Sequence, residues 1–161
     1  VIAAAASALA AALLAPSAPC PVALPSGAAV RGGFEPARAM PEFSIANREA
    51  NPVLVKLEQA DTGTDHVFYV AAGESADITF VTPATYHVSV AVAGRLGPDC
   101  RTLAAAKTIY RFSEPFVFTR TVTENPDGTR DTAIGSHWIE LGNNARRNAG
   151  SNDISVAAFN D

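Results

Sequence analysis

The chain has 161 residues, 48% of them hydrophobic, and a formal net charge of −4. That length holds one domain with an ordinary core rather than two. Basic residues are scattered, with Arg146-Arg147 the only adjacent pair, which argues against nucleic acid as a partner and against adsorption on anionic membranes.

In chain order, Val1 to Ala15 (VIAAAASALAAALLA) is uncharged with Ser7 its only polar residue, and the prolines at 16 and 19 stop any helix there. Residues 1–18 therefore read as the h-region of a signal peptide or as a retained membrane anchor. An Ala-rich helix packed on the domain is the third alternative, disfavoured because a surface helix normally carries a polar stripe. Residues 19–41 are rich in Pro, Ala and Gly without a sustained period, which predicts a flexible or extended linker. The folded domain is expected over 42–161.

Within that domain apolar and polar residues alternate in short runs. Val53, Val55 and Leu57 share one face, as do Tyr86, Val88, Val90 and Val92, with Lys56, His87 and Ser89 opposite, where solvent is expected. Further strands are predicted at Phe43 to Ala46, His66 to Ala71, Asp77 to Val81 and Phe116 to Glu124. Asn125-Pro126-Asp127-Gly128 is the strongest turn signal, Pro presetting one φ and Gly supplying a positive one. It predicts a hairpin onto Arg130 to Leu141, with Gly135 as a bulge in the second arm. Gly142-Asn143-Asn144 turns, and Ile154 to Phe159 closes the series as a strand. Between Gly94 and Lys107 the pattern is irregular, a short helical turn or an excursion loop. Seven to nine short strands between frequent turns predict an all-β fold, an antiparallel and immunoglobulin-like β-sandwich.

Cys20 and Cys100 are too far apart in sequence for a thiolate metal site of the usual paired spacing. In an exported protein they have the choice of a disulfide tying the N-terminal segment to the sheet, of two free thiols, or of losing Cys20 with a leader. Lipidation of Cys20 lacks the usual Leu and small residue ahead of the cysteine.

The remaining residue types carry no enzyme constellation, and no cofactor or metal is expected. His66, His87 and His137 lack a short ligand spacing and read as three separate surface or edge histidines. Gly73-Glu74-Ser75 and Gly135-Ser136-His137 are turns rather than a nucleophile elbow. Asp61/Asp65 and Asp127/Asp131 flank turns, where Asp bonds the local backbone. Trp138 falls out of phase with Ile139 and Leu141; it is either an exposed anchor for a ligand or partner, or a Trp covering a sheet edge or packed under a loop. Arg95 and Leu96, at the start of the irregular loop, are the other candidate partner contacts.

Several landmarks recur in one order: Ile45-Ala46-Asn47, Val55-Lys56-Leu57, Phe68-Tyr69-Val70, Ala72-Gly73-Glu74-Ser75, Val81-Thr82-Pro83, Tyr86-His87-Val88, Gly94, Ile139-Glu140-Leu141, Gly142-Asn143 and Phe159. Over residues 43–159 this order resembles uncharacterised bacterial secreted or membrane-anchored all-β domains. Ala84-Thr85 shorten the turn where such domains carry Gly, and Arg95-Leu96-Gly97 replaces their aromatic residues. The resemblance implies the sandwich and an envelope setting, and no activity.

The expected function is accordingly a non-catalytic exported envelope or extracellular module, periplasmic, outer-envelope or extracellular, that binds or scaffolds a protein or cell-envelope component. Membrane contact would come only through a retained N-terminal segment. The alternatives are a secreted inhibitor presenting the 94–107 loop and, behind it, a metal-dependent hydrolase using the three histidines.

Overall fold

The computed structural model describes residues 18–142 and 150–161. The expected leader, apart from Ala18, lies outside the described residues, as do Asn143 and Asn144 of the predicted last turn. Among the described residues the elements run β1 (Ala29–Arg31), β2 (Phe43–Asn47), β3 (Val53–Gln59), β4 (Asp65–Val70), β5 (Ser75–Ile78), β6 (Thr85–Val92), β7 (Arg95–Leu96), β8 (Leu103–Ala105), β9 (Thr108–Phe112), β10 (Phe116–Val117), β11 (Thr119–Glu124), β12 (Arg130–Gly135), β13 (His137–Leu141), β14 (Ser151–Asp153) and a single turn and a half of helix, α1 (Val156–Asn160).

The strands build an all-β sandwich. A seven-stranded antiparallel sheet has the order β1-β4-β3-β6-β9-β14, with β10 also on β6, and faces a three-stranded sheet β13-β2-β5. One pair departs from the antiparallel rule: β13 runs parallel to β2, with Ile139 opposite Ile45. The alternating runs account for the packing between the sheets. Val53, Val55 and Leu57 of β3 meet Tyr86, Val88, Val90 and Val92 of β6 in one apolar cluster, closed by Phe43, Ile45, Ile139 and Leu141 from the smaller sheet. Each such side chain fully buried is worth about 1.5–3 kcal/mol. Phe43, Phe118, Tyr86 and Phe116 cross edge to face, centroids 5.6–5.8 Å apart, the geometry their ring quadrupoles favour. Asn47, the last residue of β2, is buried and donates its amide to the carbonyls of Asn51 (3.0 Å) and Ala71 (2.9 Å), so that this landmark residue joins two loops.

The other face of the large sheet corrects the sequence reading. It does not meet solvent. Leu54, Val67, Ala91 and Ile109 point there and are covered by Val30, Leu96, Leu103 and Phe159, forming a second core. Lys56 and Ser89, expected outside, are fully buried in this layer, and His87 is half-buried. The cover comes from three places that show no strand or helix period. Of residues 19–41, expected as a linker, the part from Cys20 to Arg31 is laid on the large sheet instead: β1 pairs with β4, Gly27 N–H bonds Tyr69 C=O (2.8 Å), and Cys20 N–H bonds Leu96 C=O (3.1 Å). The irregular 94–107 stretch folds as the β7–β8 hairpin. The tail, expected as a strand over Ile154 to Phe159, becomes α1 after Ser155, whose hydroxyl caps it by accepting from Ala158 N–H. The Cys20–Cys100 disulfide, with Cα atoms 4.8 Å apart, joins the first of these pieces to the second. Asn160 ties the third to them, its side chain exchanging two hydrogen bonds with the backbone of Leu103.

The predicted hairpin is present as β11–β12 and projects beyond the sandwich, exposed on both faces. At its base the two arms part: β10 joins β6 in the large sheet, and β13 joins β2 in the small one. Gly135 stands at the parting. A Cβ there would lie 2.5 Å from Thr119 Oγ1, so a larger residue would force the Thr119 side chain to move. His137 closes the fork, its Nε2 2.8 Å from Val117 C=O and its ring against Phe116 and Phe118.

Candidate functional site: the free edge of β12 and β13

Among the described residues β13 pairs only with β2, and β12 only with β11. Backbone polarity then fixes what the far edge of β13 offers. His137 N–H donates to Glu42 C=O (3.1 Å) and Leu141 C=O accepts from Arg48 N–H (2.7 Å). Backbone groups alternate sides along a strand, so those of Trp138 and Glu140 face away from β2. The edge strands carry exposed apolar side chains: Trp138 is 73% exposed and Ile134 48%. Trp138 shares the outer face of the small sheet with Glu140, which pairs with Arg48 at 3.4 Å in the open, a contact of little energetic weight. An unpaired strand edge beside a large exposed ring offers both main-chain hydrogen bonding and an anchor.

The residues singled out in the sequence are not brought together. Trp138 lies outside the small sheet, whereas Arg95 and Leu96 belong to the layer covering the opposite side of the large one. Arg95 is exposed, but Leu96 is buried in the second core. Beyond them the tip of the β7–β8 hairpin is held rigidly. Asp99 accepts from the N–H groups of Arg101 and Thr102 (3.0 Å each) and from the Thr102 hydroxyl (2.6 Å). These bonds, the Thr102 hydroxyl first, lower the Asp99 carboxyl to about 2. A cleft of about 230 Å³ opens beside this hairpin, lined by Cys20, Val22, Leu24, Tyr69 and Arg95.

The three histidines are also apart. His66 is a correction, since it is buried rather than at the surface. Between it and His137 lie the rings of Tyr86 and Phe118, and His87 sits on the opposite face of β6 from Tyr86. Among the described residues no group of three or more His, Cys, Asp or Glu is placed to hold a metal ion.

A charged row missed by the sequence reading crosses the large sheet under α1. Arg31 on β1 pairs with Asp65 on β4 and donates to the carbonyls of Phe159 and Asn160 at the end of α1 (3.4 and 3.3 Å). Lys56 Nζ is 3.3 Å from Glu58 and 3.8 Å from Asp65. Arg111 on β9 reaches Glu58 at 2.8 Å and Ser89 Oγ at 3.1 Å. Lys56 Nζ and Arg31 Nε are buried without a hydrogen-bond partner. Burial alone would raise the Glu58 carboxyl, but Lys56 and Arg111 outweigh it and hold it below its ordinary range. Glu58 is thus shared between Lys56 and Arg111, and Asp65 between Arg31 and Lys56, which suits a structural tie better than a proton donor. The signal was visible in the pattern: Lys56, Glu58, Asp65, Ser89 and Arg111 are polar positions in register across four neighbouring strands.

Compared with protein-family models, with curated proteins and with solved structures, the chain gives no significant match to any of the three. No helix among the described residues is long and apolar enough to cross a membrane. The Cys20–Cys100 disulfide is of the kind that persists in an oxidising compartment.

Proposed function

We propose that the protein is an exported, non-catalytic module of the cell envelope or extracellular space that binds an extended protein segment along the free edge of β12 and β13. The observation carrying this reading is that edge itself, with outward backbone groups at Trp138 and Glu140 and the exposed Trp138 ring beside them. Strand addition draws affinity from main-chain hydrogen bonds and selectivity from the flanking side chains. The disulfide supports export, and the resemblance of the landmark order to bacterial secreted or membrane-anchored domains supports an envelope setting for the sandwich, which we describe as immunoglobulin-like.

A photo-crosslinking residue in place of Trp138, in cells exporting the protein, tests it. A discrete adduct is expected. It should vanish in Glu140→Pro, which removes an outward donor while sparing the pairing with β2, and persist when His87, on the far side of the large sheet, is replaced. An adduct indifferent to Glu140→Pro would overturn the reading. A second reading, a secreted inhibitor presenting the 94–107 loop, is favoured by the Asp99 network and the adjacent disulfide, which hold the exposed tip in one shape. It requires that trimming the Arg101 side chain abolish inhibition of a target protease while leaving the Trp138 adduct unchanged.

A further inference from the structure

Between β1 and β2 the chain leaves the large sheet and crosses to the small one, spanning the open side of the sandwich with residues 32–41 as a strap. Its outer end is held by backbone, Val81 N–H donating to Pro41 C=O (3.0 Å), and by Arg120 Nε donating to Ala39 C=O (3.0 Å). Its middle is held differently. Gly33 N–H donates to Nδ1 of His66 at 3.0 Å, and the Phe34 ring lies on the His66 imidazole, centroids 4.1 Å apart. Gly32 makes this approach feasible: a Cβ there would be 2.7 Å from His66 Nδ1 and 2.6 Å from Asp65 C=O. Next to the strap is a cleft of about 300 Å³ lined by Phe34, Phe68, Ile78 and Phe80, on the seam between the sheets.

We infer that His66 is an acid-operated latch: a proton taken up on Nδ1 breaks the bond to Gly33, frees the Gly32–Pro36 part of the strap and opens the seam beside Phe68. An imidazole nitrogen accepts a backbone N–H only while it is unprotonated, so the bond and the protonated ring exclude each other.

The surroundings agree. Burial pushes His66 below its ordinary value of 6.5, against the opposing pulls of the Asp65 carboxylate and of the Gly33 backbone. Arg31, from β1, is committed to Asp65. From β6 the facing group is Tyr86, whose phenol burial keeps un-ionised and whose hydroxyl donates to Thr82 C=O. From β3 the facing residue is apolar Leu57, with Lys56 and Glu58 directed to the other side of the sheet. The strap adds only Phe34 at the ring and the exposed Glu35. Because the closed state binds the proton less readily than the open one, closure is favoured above the ordinary histidine range and lost as pH falls through the depressed value.

Amide hydrogen exchange of residues 32–35, corrected for the intrinsic rate and compared between about pH 7.5 and about pH 5, tests the latch. Exchange at least about tenfold faster at the lower pH is expected, confined to the strap. His66→Asn keeps an acceptor near Nδ1 that does not titrate, and should leave the strap protected at both pH values. His66→Phe keeps the ring without the acceptor, and should leave it unprotected at both. Equal protection of the wild-type strap at both pH values, or an acid response surviving in His66→Asn, overturns the proposal. Should the variants fold poorly, the wild-type protein still decides by NMR: the Gly33 amide shift must titrate with the His66 ring, and an unmoved Gly33 resonance refutes the latch.

Discussion

The two faces of the large sheet are both buried, yet they are held by different means. The inner face is covered by another sheet, and nearly every contact is aliphatic or aromatic. The outer face is covered by an N-terminal segment, a short hairpin and a helix of five residues, none able to hold its place alone. It is fastened by a disulfide, by the Asn160 clasp and by a row of five charges. A sheet brings its own hydrogen-bonded rigidity to a packing surface. A cover made of irregular pieces needs cross-links, because each piece loses chain entropy on docking that its own burial barely offsets.

The largest effect should come from the covalent tie. Replacing both Cys20 and Cys100 by Ser removes a link spanning 80 residues, and the chain-entropy relation puts its loss at about 4.5 kcal/mol. Urea unfolding should show it. A loss under about 1 kcal/mol would mean that the outer cover stays docked without the link. On the inner face Leu57→Ala, at a position with no exposure, should cost about 3 kcal/mol through lost burial and the cavity left behind. That value should not change in the disulfide-free background, since the two cores lie on opposite sides of the sheet.

The charged row supplies a finer contrast. Glu58→Gln should cost about 2 kcal/mol, because it leaves Lys56 and Arg111 short of counter-charge. Lys56→Met should change stability by less than about 1 kcal/mol, since Glu58 keeps Arg111 and Asp65 keeps Arg31. Glu58 is held below its ordinary value of 4.5, so its stabilisation is complete above that value and lost as pH falls through the lowered one. The pH profile of unfolding in Glu58→Gln should therefore be flatter on the acid side than in wild type. Smallest of all, Trp138→Ala should alter stability by no more than about 0.5 kcal/mol, its side chain being mostly in solvent. A larger loss would show that Trp138 packs within the domain rather than serving a partner.

Much of the inner core was legible from alternation alone, because a period of two places Val53, Val55, Leu57, Val88 and Val90 on one face whatever lies opposite. The β11–β12 hairpin was legible too, from the Asn-Pro-Asp-Gly turn. The outer cover was not. Residues 19–41 lack a period because they bury isolated side chains such as Val30 and Leu24, and the Ile154–Phe159 tail has the same apolar content as a strand until Ser155 caps it as a helix. Lys56 and Ser89 were misplaced for the same reason: polarity marks solvent only when no other segment supplies partners. The free edge of β13 was equally hidden, although Trp138 had been out of phase with its core neighbours from the start.

Sequence by itself determined the all-β character, the inner face of β3 and β6 and the position of the projecting hairpin, since these follow from local periodicity and turn chemistry. Tertiary structure alone decided that the sheet is covered twice, that Cys20 meets Cys100, that β13 lies parallel to β2 with its other edge unpaired among the described residues, and that His66 reaches Gly33. Those are contacts between distant segments, and no local pattern encodes which distant group will arrive to satisfy a buried charge, a thiol or an N–H.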